Sequence, residues 1–216
     1  MSARRISLIT VILVLLFLIT FAERVRNDEK KLTERKFAYV PAGGNIIQFN
    51  VNGRRFEMDI YEFPNEMGKH PQGGLTHEAA KRKCEEAGKR LCTDAEWTEV
   101  CRGKNMNDYS YGAKFKKKNC NDLHLERTAA PSGQFKDCRT ESGIYDMSAN
   151  LWEWVEESSN GILVAKGGSF RDGELSQRCG FSLKLFKAQE RHLLFDNFGV
   201  RCCRDVQDGE EYRSEM

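Results

Sequence analysis

Short apolar runs separated by polar residues mark residues 37–51 and 55–61, with breaks at Pro41-Ala42-Gly43-Gly44 and at Asn52-Gly53. An Asn-Gly pair tolerates positive φ at both central positions of a two-residue turn, so an N-terminal β-hairpin is predicted. The period then lengthens. Ala80, Cys84 and Ala87 share one helical face behind Thr76, whose hydroxyl can accept from an exposed backbone N–H, and Gly88 supplies a left-handed stop. Thr93 and Glu96 have capping-box spacing ahead of Trp97, Val100 and Cys101, which line the inner face of a second helix. From 103 to 140 the periodicity is lost among glycine, asparagine and lysine clusters, which predicts a long loop followed only by short strands.

Residues 1–22 have a different pattern: Arg4 and Arg5 precede an uncharged apolar run over residues 6–22. At about 1.5 Å per residue, such a run approaches the shortest bilayer span, with the arginines on the cytoplasmic side. A signal anchor is expected, and Thr20-Phe21-Ala22 also fits a cleavable signal peptide. Residues 23–36 are nearly all charged or polar and read as a solvated stalk rather than a folded element. The folded domain is expected over 37–205, with a polar tail over 206–216.

Thirty-four Lys and Arg face 32 Asp and Glu, a formal charge of +2, so no global field points to nucleic acid. Lys116 to Lys118 accordingly read as a solvated loop face. All eight cysteines follow the apolar segment, the distribution of a domain oxidised outside the cytoplasm. His70, His77, His124 and His192 lack paired zinc spacing, so a disulfide framework is the preferred reading.

Four blocks occur in a fixed order: GKRLCTDAEW from Gly88, GIYDMSANLWEW from Gly143, KGGSF from Lys166 and FGVRCC from Phe198. With Pro41-Ala42-Gly43, Asp59 and Tyr61-Glu62, they closely resemble the formylglycine-generating enzyme (sulfatase-modifying factor) family. The resemblance implies an α+β, irregular C-type-lectin-like fold, with two helices beside short twisted antiparallel sheets, stapled by disulfides. It implies Cys84 with Cys202 and Cys101 with Cys179. Local loop closure then favours Cys120 with Cys138, leaving Cys92 with Cys203.

Asp146, Asn150 and Glu153 are oxygen donors spaced so that a tight turn can aim them at one point. Hard oxygen ligands suit calcium, with the carbonyls of Ser148 and Leu151 as further ligands. Spacing alone also allows ordinary turn and surface hydrogen bonds; the resemblance implies a structural calcium here. At least one of Trp152 and Trp154 is expected in the core, and the resemblance places Trp152 near a substrate cleft. Catalytic members of the family use two cysteines after the GGS block to bind copper and activate oxygen. In this chain those positions are Asp172 and Gln177, so no copper is expected. Asp172 and Glu174 could form an acid-base pair, but more simply form a solvated, self-paired loop.

These readings converge on an exported, non-catalytic binding domain that recognises a peptide, protein or glycan of the bacterial envelope, with Trp152, Ser169, Arg171 and Asp172 as contacts. The expected location is extracytoplasmic, tethered to the inner membrane and facing the periplasm, or secreted if the signal is cleaved. A diverged copper-dependent formylglycine-generating oxidase and a structural subunit of an envelope complex are the alternatives.

Overall fold

A computed structural model describes residues 8–34, 36–125, 127–156, 158, 160–187 and 195–206. It divides into a helical unit, 1–36, and a second unit, 37–216. In the first, helix α1 runs Leu8–Glu34. The charged segment expected to be an unfolded stalk is therefore helical through Glu34, since its Glu, Arg and Lys residues are good helix formers. Large apolar side chains from Leu13 to Phe21 are exposed. Among the described residues, no helix is long and apolar enough to cross a membrane. Residues 6 and 7 of the apolar run, and 207–216 of the expected tail, lie outside the described residues.

The second unit opens with β1 Phe37–Gly43, β2 Ile46–Val51 and β3 Arg54–Asp59, an antiparallel meander rather than a single hairpin. Pro41 lies inside β1, where it was expected to break the chain. β1 is an edge strand, so the missing N–H costs no inner ladder bond. The first reversal falls at Gly44 and Asn45, and the second at Asn52 (φ 54°) and Gly53 (φ 90°), as the Asn-Gly signal predicts.

Helix α2, His77–Glu86, starts where Thr76 Oγ1 accepts from Ala79 N and buries His77, Ala80 and Cys84. Strand β4, Arg90–Leu91, leads to α3, Asp94–Arg102, which carries the full capping box of Thr93 and Glu96. Arg90 then pairs with Glu96 at 2.8 and 2.9 Å, binding the start of α3 to β4. The described residues of 103–151 contain only isolated bridges at Tyr109–Gly112 and Arg139–Tyr145, consistent with the predicted long loop.

After that loop come β5 Trp152–Val155, β6 Ile162–Lys166, β7 Leu183–Phe186, a 3-10 turn at Phe195–Asn197, β8 Phe198–Val200 and β9 Cys202–Asp205. They complete an antiparallel five-stranded sheet ordered β1-β2-β3-β9-β4 and a four-stranded sheet ordered β7-β6-β5-β8. The second sheet is mixed, because β8 runs parallel to β5. The chain therefore passes from one sheet to the other at a single residue, Arg201. One core cluster joins Phe49, Phe56 and Met58 to Trp97 and Val100 of α3. The other joins Ala80 and Cys84 of α2 to Trp152, Trp154, Phe198 and Val200.

Four disulfides fix these elements: Cys84–Cys202, Cys92–Cys203, Cys101–Cys179 and Cys120–Cys138. These are the pairs expected above, and no cysteine is free. Two of them hold β9 to α2 and to the residue following β4.

Candidate functional site

The turn between Asp146 and Leu151 is backbone-strained: Asp146, Ala149 and Asn150 all have positive φ (60°, 72° and 63°). Non-glycine residues rarely take this conformation, and it persists only where surrounding contacts impose it. Those contacts are visible. Ala149 N donates to Gly167 O at 2.8 Å, and Phe170 N donates to Asn150 O at 2.9 Å. Gly167 itself, at φ 89°, has no room for a side chain, since a Cβ would stand 3.0 Å from Met147 O and 3.2 Å from the Trp97 ring. The GGS block is thus the surface against which the turn is moulded.

Three buried carboxylates meet one buried guanidinium beneath that turn. Arg201, fully buried, donates from Nε to both oxygens of Glu153 (3.2 and 3.1 Å) and from Nη2 to Glu153 Oε1 (2.7 Å). It also reaches Asp59 O and Tyr145 O, at 3.0 and 2.7 Å. Glu153 Oε2 accepts a further bond from Trp97 Nε1 at 2.6 Å. Asp146 Oδ2 accepts from Gly133 N at 2.8 Å. Glu62 accepts from Asn150 Nδ2 at 2.6 Å and from Leu151 N at 3.1 Å.

This donor set does not fit a calcium ion. Each Glu153 oxygen already accepts two N–H bonds, and the charge beside it is a guanidinium. Asn150 Oδ1, the next donor, accepts from Asn121 Nδ2 and Ala130 N, both at 2.9 Å. The carbonyl of Ser148 faces the Cys138 sulfur at 3.3 Å. Among the described residues no group of three or more His, Cys, Asp or Glu is arranged to hold a metal. The residues expected to hold calcium, Asp146, Ser148, Asn150, Leu151 and Glu153, are joined here by an organic brace in which Arg201 supplies the positive charge and Glu62 ties down the turn. Adding millimolar calcium or a chelator should leave the melting temperature of the folded protein unchanged. A calcium-dependent rise of several degrees would contradict this.

The excess of carboxylates has an electrostatic consequence. Burial pushes the Asp146 carboxyl up to about 7, with Glu153 adding to the rise, while the Gly133 N–H and Arg201 oppose it. Burial, reinforced by the charges of Asp146 and Glu153, raises Glu62 well above its ordinary range. A group with a raised folded pKa contributes stability that is full below its unfolded value and is lost as pH rises toward the folded one. For Asp146 that window runs from about pH 4 to about 7. An Asp146→Asn variant keeps the acceptor for Gly133 N and removes the titration. Its stability relative to the parent should therefore improve steadily from pH 4 to 7 in urea titrations. A constant difference over that range would refute the assignment.

The expected contact residues divide on exposure. Trp152 and Trp154 lie two residues apart on β5, so they share a face, and both pack on Phe198, at ring distances of 6.2 and 4.8 Å. Trp152 is 4% exposed and also meets Phe181, which removes it from any cleft. Ser169 is fully buried, its hydroxyl donating to Asp172 Oδ2 and accepting from Asn197 Nδ2. Asp172 therefore holds the loop by accepting from Ser169 N and Oγ. Arg171 remains at the surface, paired with Asp196 and lying over the Phe170 ring.

The two positions where catalytic cysteines would stand are thus built into the scaffold. Gln177 is buried and its Nε2 donates to Asp172 O at 3.2 Å, while Gln177 O accepts from Ser148 Oγ at 3.1 Å. Glu174 turns away from Asp172 toward Tyr109 and Arg178, so the two carboxylates do not form an acid-base pair. Cys179, the cysteine nearest these positions, is consumed by Cys101.

No local spacing in the sequence connects Arg201 or Glu62 to this turn. One signal was available for the first: a lone guanidinium inside FGVRCC, an otherwise apolar and disulfide-forming block, requires a buried acidic partner.

Fold and site together define a disulfide-stapled C-type-lectin-like domain whose oxidase positions carry no thiol. The chain belongs to the family described as Sulfatase-modifying factor enzyme 1-like domain, which it matches over residues 26–206. It is 26% identical over 144 residues to the inactive C-alpha-formylglycine-generating enzyme 2 of Bos taurus, covering 57% of this chain and 46% of that protein. It is 33% identical over 90 residues to the serine/threonine-protein kinase pkn1 of Chlamydia caviae, covering 41% of this chain and 14% of the kinase. The matches thus span less than half the length of either relative. Treponema denticola variable protein 1 shares the fold at a TM-score of 0.59 and 13% identity, over 80% of this chain and 93% of its own. CarF does so at 0.52 and 14%, over 71% and 87%.

Proposed function

We propose that this protein is a non-catalytic binding domain of its family, exported and acting outside the cytoplasm on a peptide, protein or glycan of the cell envelope. The observation that carries this reading is the fate of the cysteines. All eight are spent in structural disulfides, and Asp172 and Gln177 stabilise the loop where a Cu(I) thiolate pair would be needed. The likeness to a formylglycine-generating enzyme that is itself described as inactive supports the same reading. Four disulfides favour an oxidising compartment. The exposed apolar stretch of α1 supports attachment to a membrane, as a short or interfacial anchor.

Arg171 is the expected contact residue that stays accessible. Immobilised full-length protein should retain a saturable partner from envelope extracts, and Arg171→Glu should reduce that retention while leaving the melting temperature unchanged. Absence of any saturable partner would count against a binding role.

A further inference from the structure

The loop following α3 concentrates positive charge. Residues 102–139 hold nine Lys or Arg against four Asp or Glu, a net +5 within a chain whose total is only +2. Lys114, Lys116, Lys117 and Lys118 are all exposed, and among the described residues none of them makes an ion pair. Asp122, the nearest acid in sequence, is buried and occupied by Lys118 N (3.2 Å) and His124 N (2.9 Å), so it faces no ammonium group.

The backbone carrying these lysines is fixed. Lys116 N donates to the Tyr111 hydroxyl at 3.3 Å, Lys118 N is held by Asp122, and the Cys120–Cys138 bond closes the loop. Leu123 N donates to Asp172 O at 3.2 Å, joining this loop to the segment that carries Leu175. Leu123 and Leu175 are 43% and 64% exposed. Like charges pinned side by side repel one another, and a preorganised row of them favours an anionic partner at little ordering cost.

We propose that this loop is the docking face for an acidic peptide segment, with Leu123 and Leu175 as its apolar contacts. The apolar groups decide for a peptide over a sugar polymer. Tyr109 is buried, stacked on Tyr111 with centroids 5.6 Å apart and covered by Arg178, so its ring is not a stacking platform for a glycan. The large apolar side chains most exposed beside the lysines are aliphatic, Leu123 and Leu175, and they suit the side chains of a peptide. The proposal rests on the binding role above and specifies its face and partner.

The test uses fluorescence anisotropy with full-length protein and three probes: a labelled glutamate-rich peptide containing leucines, its lysine-rich counterpart, and heparin. The acidic peptide should bind, weaken with salt, and lose about tenfold in affinity in a Lys116→Gln/Lys117→Gln/Lys118→Gln variant whose melting temperature is unchanged. Leu175→Asn should weaken it separately. No binding of the acidic peptide, or equal binding by the triple variant, overturns the proposal. Heparin binding more tightly than the peptide and ignoring Leu175→Asn overturns the peptide assignment. Should the triple variant still capture its partner from envelope extracts undiminished, the face is wrong while the binding role stands. Capture of nothing by the parent protein sinks the binding role itself.

Discussion

An Arg201→Met variant should be destabilised by about 3 to 5 kcal/mol, the usual result of removing one member of a fully buried ion pair. The reason lies in what it leaves behind. Glu153 would keep only the Trp97 N–H, with Asp146 and Glu62 as acidic neighbours, and the carbonyls of Asp59 and Tyr145 would lose their donors. Because Arg201 is the hinge between β8 and β9, the damage reaches both sheets. A Glu153→Gln/Arg201→Met double variant removes both charges and should recover part of the loss. Urea denaturation of the four proteins in the cycle supplies the coupling. If Arg201→Met costs less than about 1 kcal/mol, the guanidinium is not the internal brace described above.

The second large effect concerns Cys84–Cys202, which spans 118 residues. Chain-entropy reasoning assigns such a cross-link about 5 kcal/mol of stability, against about 3 kcal/mol for Cys120–Cys138, which spans 18. A small domain is stable by only about 5 to 15 kcal/mol in total. Paired alanine substitutions at Cys84 and Cys202 should therefore bring the protein close to unfolding at 37 °C, whereas those at Cys120 and Cys138 should leave a folded domain with a loosened loop. Calorimetry of the two variants distinguishes them. Equal losses would mean that native packing around each bond, rather than loop length, sets its contribution.

Much of the architecture is legible in local sequence. Thr76, Thr93 and Glu96 announce two helices by short-range capping chemistry, and both helices begin at those residues. Asn52-Gly53 likewise specifies its turn through conformational preference alone. The failures share a non-local origin. Glu153 is 48 residues from Arg201 in sequence, and the Asp59 carbonyl is 142 away, so no spacing rule connects them. The DxxxNxxE pattern shows oxygen donors but not whether a guanidinium has already taken them. Trp152 reads as a cleft residue until β8 is laid parallel to β5, which brings Phe198 onto its ring. Asp172 reads as a surface contact for a ligand until its carboxylate is found closing the Ser169 turn. The charged segment after the apolar run reads as a stalk because composition reports solvation and not helicity.

The family's fold is intact in this protein, and Asp172 and Gln177 hold together the loop that follows the GGS block. The most direct measurement is to incubate the purified, copper-supplemented protein with a cysteine-containing sulfatase peptide and follow the peptide by mass spectrometry and hydrazide capture. The cysteine should remain unchanged. Turnover to a hydrazide-reactive aldehyde that depends on this protein would contradict the account.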